Sequence, residues 1–481
     1  MKQIHKYISL AGVSLLLVMG LLSCKKSFLE VTPKGKLIAQ KVSDYDLLLN
    51  NLTLLNVDPN AQMVMGDEIA AADPYFTGTD VRTQRLFRWD DVVYDPGQDA
   101  KEMTIPMQNI YTYNVIINEI STATNGTDQQ KKSLQAEAMA GRAWTYFLLI
   151  NYYGKPYTEA TAATDPGYPI VTVADVTTTK FVRASVKDVY DFIVSDLTAA
   201  IPALPTQMTY RIRMSKAAAE GLLAKVYMFM GKFDLALPLL NASFTDLAGN
   251  SVPISLYDYN KTFATGGAFL PIGFFGPAYP ATISNQENLY ARQAFDTWTF
   301  VNNEIVINSA TVSLFGSSDL RLNFYAPNAF FGSNYPAGLK RRIGPIEVQN
   351  GVILPDLYLL RAECKARLND LSGAKADVET LRVNRMPAAD APVPDTTASQ
   401  ETTLLNFIFN ERVREFAVQG FRWFDMRRLS VDPLFTGATY THNLYSATGS
   451  ITNTYTLKPA RFVLRFPQKV IDQNPGMENN P

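Results

Sequence analysis

Histidine and cysteine are nearly absent from this chain, with two of each in 481 residues. His5 lies in an N-terminal stretch that reads as a cleaved signal, so the mature protein is expected to keep His442 as its only imidazole. One histidine cannot build a multi-histidine metal site. Cys24 belongs to the signal reading below, which leaves Cys364 without an intrachain partner and excludes a disulfide framework. Cys364 falls on the apolar stripe of a helical pattern, where a buried, inert thiol is expected rather than a nucleophile. An excess of charge is missing too. The formal net charge is −1, or −3 once Lys2 and Lys6 are removed, and this gives no electrostatic case for nucleic acid. There is no glycine-rich phosphate loop: Gly266-Gly267 lacks a following Lys-Ser/Thr, and the glycines of Gly273-Phe-Phe-Gly-Pro have the wrong spacing. No nucleophile-elbow pattern accompanies His442. Beyond the N-terminus, no apolar run approaches the roughly 20 residues that a membrane-spanning helix needs.

What is present starts at the N-terminus. Lys2 and Lys6 supply a positive region, Ile8 to Leu22 an apolar one, and Ser23 a small residue directly before Cys24. This order reads as a lipoprotein signal over 1–23 with Cys24 as the lipidated residue, against the plainer alternative of a secretory signal in which Cys24 is incidental. A single acyl chain holds a protein weakly, so stable anchoring implies several chains on Cys24. The mature protein is then anchored to a membrane outside the cytoplasm, behind a tether over 24–36. Lys25 and Lys26 do not settle which leaflet receives it.

Three segments share a helical apolar rhythm. Ala136, Met139, Ala140, Ala143, Trp144 and Phe147 recur at three- and four-residue steps, as do Ala219, Leu222, Leu223, Val226, Tyr227 and Met230. Leu357, Leu360, Cys364 and Leu368 give a sparser version. The second and third are followed by turns at Gly231-Lys232-Phe233 and Asn369-Asp370-Leu371, each leading into another helical run. Such pairs are built like tetratricopeptide hairpins, but Gly154 and Gly231 lie 77 residues apart rather than at the roughly 34-residue repeat of those units. Further helices are predicted over about 104–121, 185–201 and 402–420. Between 245 and 350 the composition turns to Gly, Pro, Asn, Ser and aromatics without helical period, which predicts long irregular loops with short strands. Pro387 to Thr397 reads as a second flexible connection. The expected fold is mainly α, one large domain over 37–481, with a helical scaffold at about 37–244 and 351–481 and a loop-rich ligand or partner region at about 245–350.

Several ordered blocks resemble one family. They are Cys24-Lys-Lys-Ser-Phe-Leu-Glu-Val-Thr-Pro-Lys-Gly; Arg142-Ala-Trp-Thr-Tyr-Phe-Leu-Leu-Ile-Asn-Tyr-Tyr-Gly-Lys-Pro-Tyr; and Ser215-Lys-Ala-Ala-Ala-Glu-Gly-Leu-Leu-Ala-Lys-Val-Tyr. Leu354-Pro-Asp-Leu-Tyr-Leu-Leu-Arg-Ala-Glu-Cys-Lys, Asn410-Glu-Arg-Val-Arg-Glu-Phe-Ala-Val-Gln-Gly-Phe-Arg-Trp-Phe-Asp and Arg465-Phe-Pro-Gln-Lys-Val-Ile-Asp-Gln-Asn-Pro-Gly follow in order. On these blocks the chain is similar to the SusD/RagB family of outer-membrane nutrient-binding lipoproteins of Bacteroidetes. Gln419 stands where the family commonly has an acid. The resemblance implies tetratricopeptide-like helix pairs that pack against a SusC-like TonB-dependent barrel, with the lipoprotein lying over the barrel mouth and capturing oligosaccharide or peptide. It implies no catalysis and no nucleic acid, and a lipid-anchored outer-membrane protein that faces the cell exterior.

Candidate site residues follow from sugar chemistry, in which aromatic faces stack on C–H groups and planar polar groups bind hydroxyls. Of four tryptophans, Trp144 and Trp423 sit in helical blocks and are expected in the core. Trp89 and Trp298 lie in surroundings read as non-helical with acids nearby and are candidate ligand contacts, with Tyr75, Phe76 and Tyr279 behind them. Glu411 and Glu415 share a helix face and allow a carboxylate-dependent glycan hydrolase as an alternative. The surrounding Arg412, Arg414, Arg422, Arg427 and Arg428 favour structural ion pairs instead. Asp67-Glu68 and Asp90-Asp91 are expected to be solvated loop carboxylates. A helical scaffold that binds other envelope proteins is the third reading. Asp95-Pro-Gly-Gln-Asp99 lacks the ligand spacing of a defined calcium motif, so no cofactor is indicated and a structural calcium stays open.

Overall fold

Apolar positions at three- and four-residue spacing become long helices that pack in pairs. The computed structural model describes residues 39–177, 180–273, 275–295 and 303–481. The scaffold helices are α1 (Val42–Leu49), α2 (Val81–Phe87), α3 (Lys101–Glu119), α4 (Asp128–Tyr153), α5 (Val186–Ala200), α6 (Lys216–Phe229) and α7 (Phe233–Leu247), followed after the loop region by α8 (Leu354–Arg367), α9 (Leu371–Arg382), α10 (Glu401–Phe416) and α11 (Phe421–Leu429). Helix α4 starts at a capping box in which Thr127 Oγ1 accepts from the Gln130 backbone N–H and Gln130 Oε1 accepts from that of Thr127. Its second half, from Ala136 onward, is buried on nearly every side and forms the axis on which α3 and α5 pack. Gly141 makes the close approach to α3 fit, because a Cβ there would lie 2.5 Å from the Tyr113 ring.

The hairpins α6–α7 and α8–α9 use the same turn. Gly231 (φ 74°) and Asn369 (φ 65°) adopt the left-handed conformation just past α6 and α8. The Lys232 N–H then reaches Tyr227 O at 2.9 Å, and the Asp370 N–H reaches Lys365 O at 2.8 Å, which completes the carbonyl caps. The fold is mainly α with tetratricopeptide-like hairpins, as the periodicity predicts, and Trp144 and Trp423 lie in the core. Residues Pro387 to Thr397 are pinned rather than loose. Arg382 donates to Ala391 O and Asp390 O, the Val393 N–H donates to Glu379, and Ala391 and Val393 are buried.

Four short strands bring distant parts of the chain together. In sheet order β4 (Ile451–Thr456), β3 (Thr441–Tyr445), β1 (Ile69–Ala72) and β2 (Ile305–Ile307), β1 runs parallel to β3 and antiparallel to β2. Ala71 lies opposite both Ile305 and Leu444. The small Ala70 and Ala72 let Val306, Ala329, Tyr335 and Leu339 pack over this strand, so the loop after β1 and the loop at 327–339 meet at one end of the sheet. Among the described residues, no helix is long and apolar enough to cross a membrane.

Candidate functional site

The segment after β1 sorts its aromatic residues to opposite sides. Asp73 N–H donates to Tyr445 O at 2.9 Å, the Phe76 N–H closes back on Ala72 O, and Asp73 Oδ1 accepts from the Thr77 N–H. This tight turn directs Phe76 inward against the Phe87 ring, centroids 4.9 Å apart, with only 2% of its surface exposed. Tyr75 points the other way, half-buried, with its ring edge-on to Tyr335 at 6.1 Å.

The facing loop is built to meet it. Ala329 N–H donates to Ser333 O and Tyr335 N–H to Pro327 O, so residues 327–335 form a compact reversal with Phe331 near its tip. Asn303, two residues before β2, braces the loop: its side-chain amide accepts from the Phe330 N–H at 2.5 Å and donates to Phe330 O at 3.1 Å, while its backbone carbonyl accepts from the Tyr335 hydroxyl at 2.8 Å. Gly332 must be glycine for the loop to sit this close, since a Cβ would lie 2.5 Å from the Tyr75 hydroxyl. Phe331 is held at φ 53°, an uncommon conformation for a bulky residue, and is 85% exposed beside the Phe330 ring. Arg341 lies over Phe330 at 5.6 Å and donates to Asn328 O. Asn328, Ser333 and Asn334 are exposed around the aromatic tip. One protruding ring, Phe331, beside the half-buried rings of Phe330 and Tyr75, with amides and a hydroxyl around it, is the chemistry that stacks on a sugar ring and binds its hydroxyls.

The structure redistributes the sequence candidates. Tyr75 lies on this face. Trp89 lies just past helix α2, outside any helix as the sequence predicts, with its backbone at φ 53°. There Nε1 donates to Met65 O at 3.1 Å, the ring stacks on His442, and 6% of the residue is exposed, so it presents no face to a ligand. Phe76 is interior for the reason given above. Tyr279 is half-buried in a separate aromatic cluster with Tyr257, Phe269 and Phe324. Trp298 and Cys24 lie outside the described residues. Phe330 and Phe331 were not singled out by sequence. The available signal was an aromatic pair inside Asn328-Ala-Phe-Phe-Gly-Ser-Asn, a loop composition without period.

The carboxylate alternative meets buried ion pairs. Glu411 is fully buried and held by Arg321 at 2.8 Å, Arg382 at 2.8 Å and Arg414 at 2.7 Å. Burial pushes its carboxyl up, but the three guanidinium charges outweigh that and hold it far below the usual carboxylate range, the opposite of what a general acid needs. Glu415 is engaged by Arg321 and Arg385. Asp67 and Glu68 are not solvated: Asp67 pairs with Arg422 at 2.5 Å, and Glu68 is 2% exposed. His442 is wholly buried between Phe87 O and Gly66 O, 2.6 Å from each, where it cannot serve as a surface base. Burial also pushes the Cys364 thiol well up, which fits an inert core residue. Among the described residues, no cluster of three or more His, Cys, Asp and Glu could hold a metal.

Residues 27–228 match a family described as "Starch-binding associating with outer membrane", and residues 354–481 match the SusD family. A SusD-like protein P2 of Formosa agariphila is 22% identical over 355 residues, covering 64% of this chain and 67% of that protein. A SusD superfamily protein of Bacteroides thetaiotaomicron superposes with a TM-score of 0.70 at 19% identity, covering 92% of this chain and 100% of its own. A SusD-like carbohydrate binding protein of Bacteroides vulgatus gives 0.66 at 16% identity, over 91% and 97%. The loop carrying Phe330 and Phe331 falls between the two matched stretches. The chain belongs to the SusD/RagB family.

Proposed function

We propose that this protein captures oligosaccharide at the outer surface of the cell and delivers it to a SusC-like TonB-dependent barrel, without catalysing any reaction on it. Family membership implies a carbohydrate-binding role in nutrient uptake at the outer membrane. The observation that carries the finer reading is the Tyr75–Phe331 face, where the exposed Phe331, the half-buried Tyr75 and nearby amides are held by Asn303 and Gly332 at the end of the sheet. Lipidation of Cys24 supplies the anchor, and Trp298 is a proposed ligand contact on sequence grounds alone.

A binder and a hydrolase separate in one experiment. The purified protein is run through gels containing a panel of soluble polysaccharides, and the same polysaccharides are assayed for new reducing ends. Retardation by at least one glycan with no reducing ends released is the expected result. Release of reducing ends would establish the hydrolase, and retardation by none would favour the protein-interaction scaffold.

A further inference from the structure

A second polar site lies away from the aromatic face, around Arg342. The strand Arg341–Arg342 pairs antiparallel with Tyr325–Ala326. Strand alternation sends Arg341 toward Phe330 and Arg342 to the opposite side, where it lines a cavity of about 50 Å³. One water needs only ~10–15 Å³ of such space, so the cavity admits a small ion. It reaches solvent past the half-buried Glu347, Pro345 and Gln419.

Arg342 is 4% exposed, and among the described residues no carboxylate lies within ion-pair distance of it. Its Nη1 is buried without any hydrogen-bond partner among the described residues. The neighbouring guanidinium groups are all committed elsewhere. Arg321 is held by Asp319, Glu411 and Glu415; Arg385 by Glu287 and Glu415; Arg382 and Arg414 by Glu411. Four buried carboxylates thus face four guanidinium groups in a closed lattice, and Arg342 is a fifth cation beside it. Glu347 at the mouth makes no ion pair among the described residues. The groups whose charge would reach Arg342 are the hydroxyls of Tyr325, Tyr279 and Tyr259, and burial raises the pKa of all three, so they are neutral at physiological pH.

A lone buried guanidinium is costly unless an opposite charge joins it. Arginine does not solve the problem by losing its proton. Two of the tyrosines also offer donors. Tyr279 accepts from Asn285 Nδ2, which leaves its own hydroxyl proton to donate, and the Tyr259 hydroxyl, also at the cavity wall, makes no hydrogen bond among the described residues. We infer that this cavity binds one small monovalent anion, a halide or a carboxylate, held by Arg342 with the hydroxyls of Tyr259 and Tyr279.

The test uses full-length protein in detergent. Thermal unfolding is followed in sodium chloride, sodium bromide or sodium acetate against sodium gluconate at equal ionic strength, the gluconate ion being too large for the cavity. A saturable rise in the midpoint of about 2 °C or more is expected with the small anions and is lost in Arg342→Gln. A response to chloride and bromide alone identifies a halide site, and an equal response to acetate extends it to carboxylates. Arg342→Lys keeps the charge and should retain a weaker response. Bromide-soaked crystals of the unaltered protein decide the matter without any variant, because the inference predicts an anomalous peak beside Arg342. No peak there, together with identical midpoints in all salts, would overturn it and leave the cavity to water.

Discussion

The indole of Trp89 lies against the imidazole of His442, ring centroids 3.8 Å apart and planes inclined by 20°, with Phe87 stacked on the imidazole at 4.4 Å. The two residues join the loop after α2 to the sheet, so this stack is structural. Trp89→Ala is expected to lower unfolding free energy by about 3–5 kcal/mol, measured by urea titration. Glycan affinity of the folded fraction should be unchanged, and a selective loss of affinity with stability intact would return Trp89 to the ligand face.

Glu68 gives the fold a pH dependence. Burial, with the neighbouring Asp67 charge, pushes its carboxyl from 4.5 up to about 7. Its Oε1 accepts from the Val418 N–H, and its Oε2 has no partner among the described residues. Because the folded value lies above the unfolded one, the native state holds the extra proton between these values, and this group's contribution is lost as pH rises from about 4.5 to about 7. Glu68→Gln should therefore gain on the unaltered protein across that window, by up to about 3 kcal/mol at pH 8 relative to pH 4. Denaturant midpoints of the two proteins at several pH values check this, and parallel curves would refute it.

Glu411→Gln tests the ion-pair lattice. Removing one charge from a buried carboxylate that serves Arg321, Arg382 and Arg414 should cost about 3–5 kcal/mol. The variant should show no change in polysaccharide cleavage, because none is expected of either protein. A hydrolytic activity that disappears with this substitution while stability holds would reverse the assignment.

The barrel partner is tested by affinity purification of tagged, lipidated protein from native outer membranes, followed by mass spectrometry. A TonB-dependent barrel should come down in comparable amount. Recovery of the protein alone, in detergent that preserves other barrel complexes, would argue for an independent binder.

The scaffold was legible because helix information is local. The spacing of Ala136, Ala140, Ala143 and Phe147, and the turns at Gly231 and Asn369, each lie within one helical hairpin. The sheet was not, because β1 pairs with strands more than two hundred residues away. Asp67 looked like a solvated loop acid for the same reason: its partner, Arg422, is 355 positions along the chain. The burial of Trp89 was not legible because its own left-handed backbone just past α2 sets whether the ring faces water or core, and composition does not encode that. Tyr75 was a sequence candidate and Phe331 was not, although they share a face, since only the folded chain brings 75 beside 331.

The proposed glycan contact is the face formed by Tyr75 and Phe331. Its most direct test is affinity electrophoresis of the unaltered protein, Tyr75→Ala and Phe331→Ala on the best-retarding polysaccharide, with thermal unfolding as the folding control. Each substitution should weaken binding about tenfold, ~1.4 kcal/mol, and Phe331→Ala, at an exposed position, should leave stability within about 0.5 kcal/mol. Unaltered affinity in both variants would rule out this face and move the binding site elsewhere on the protein.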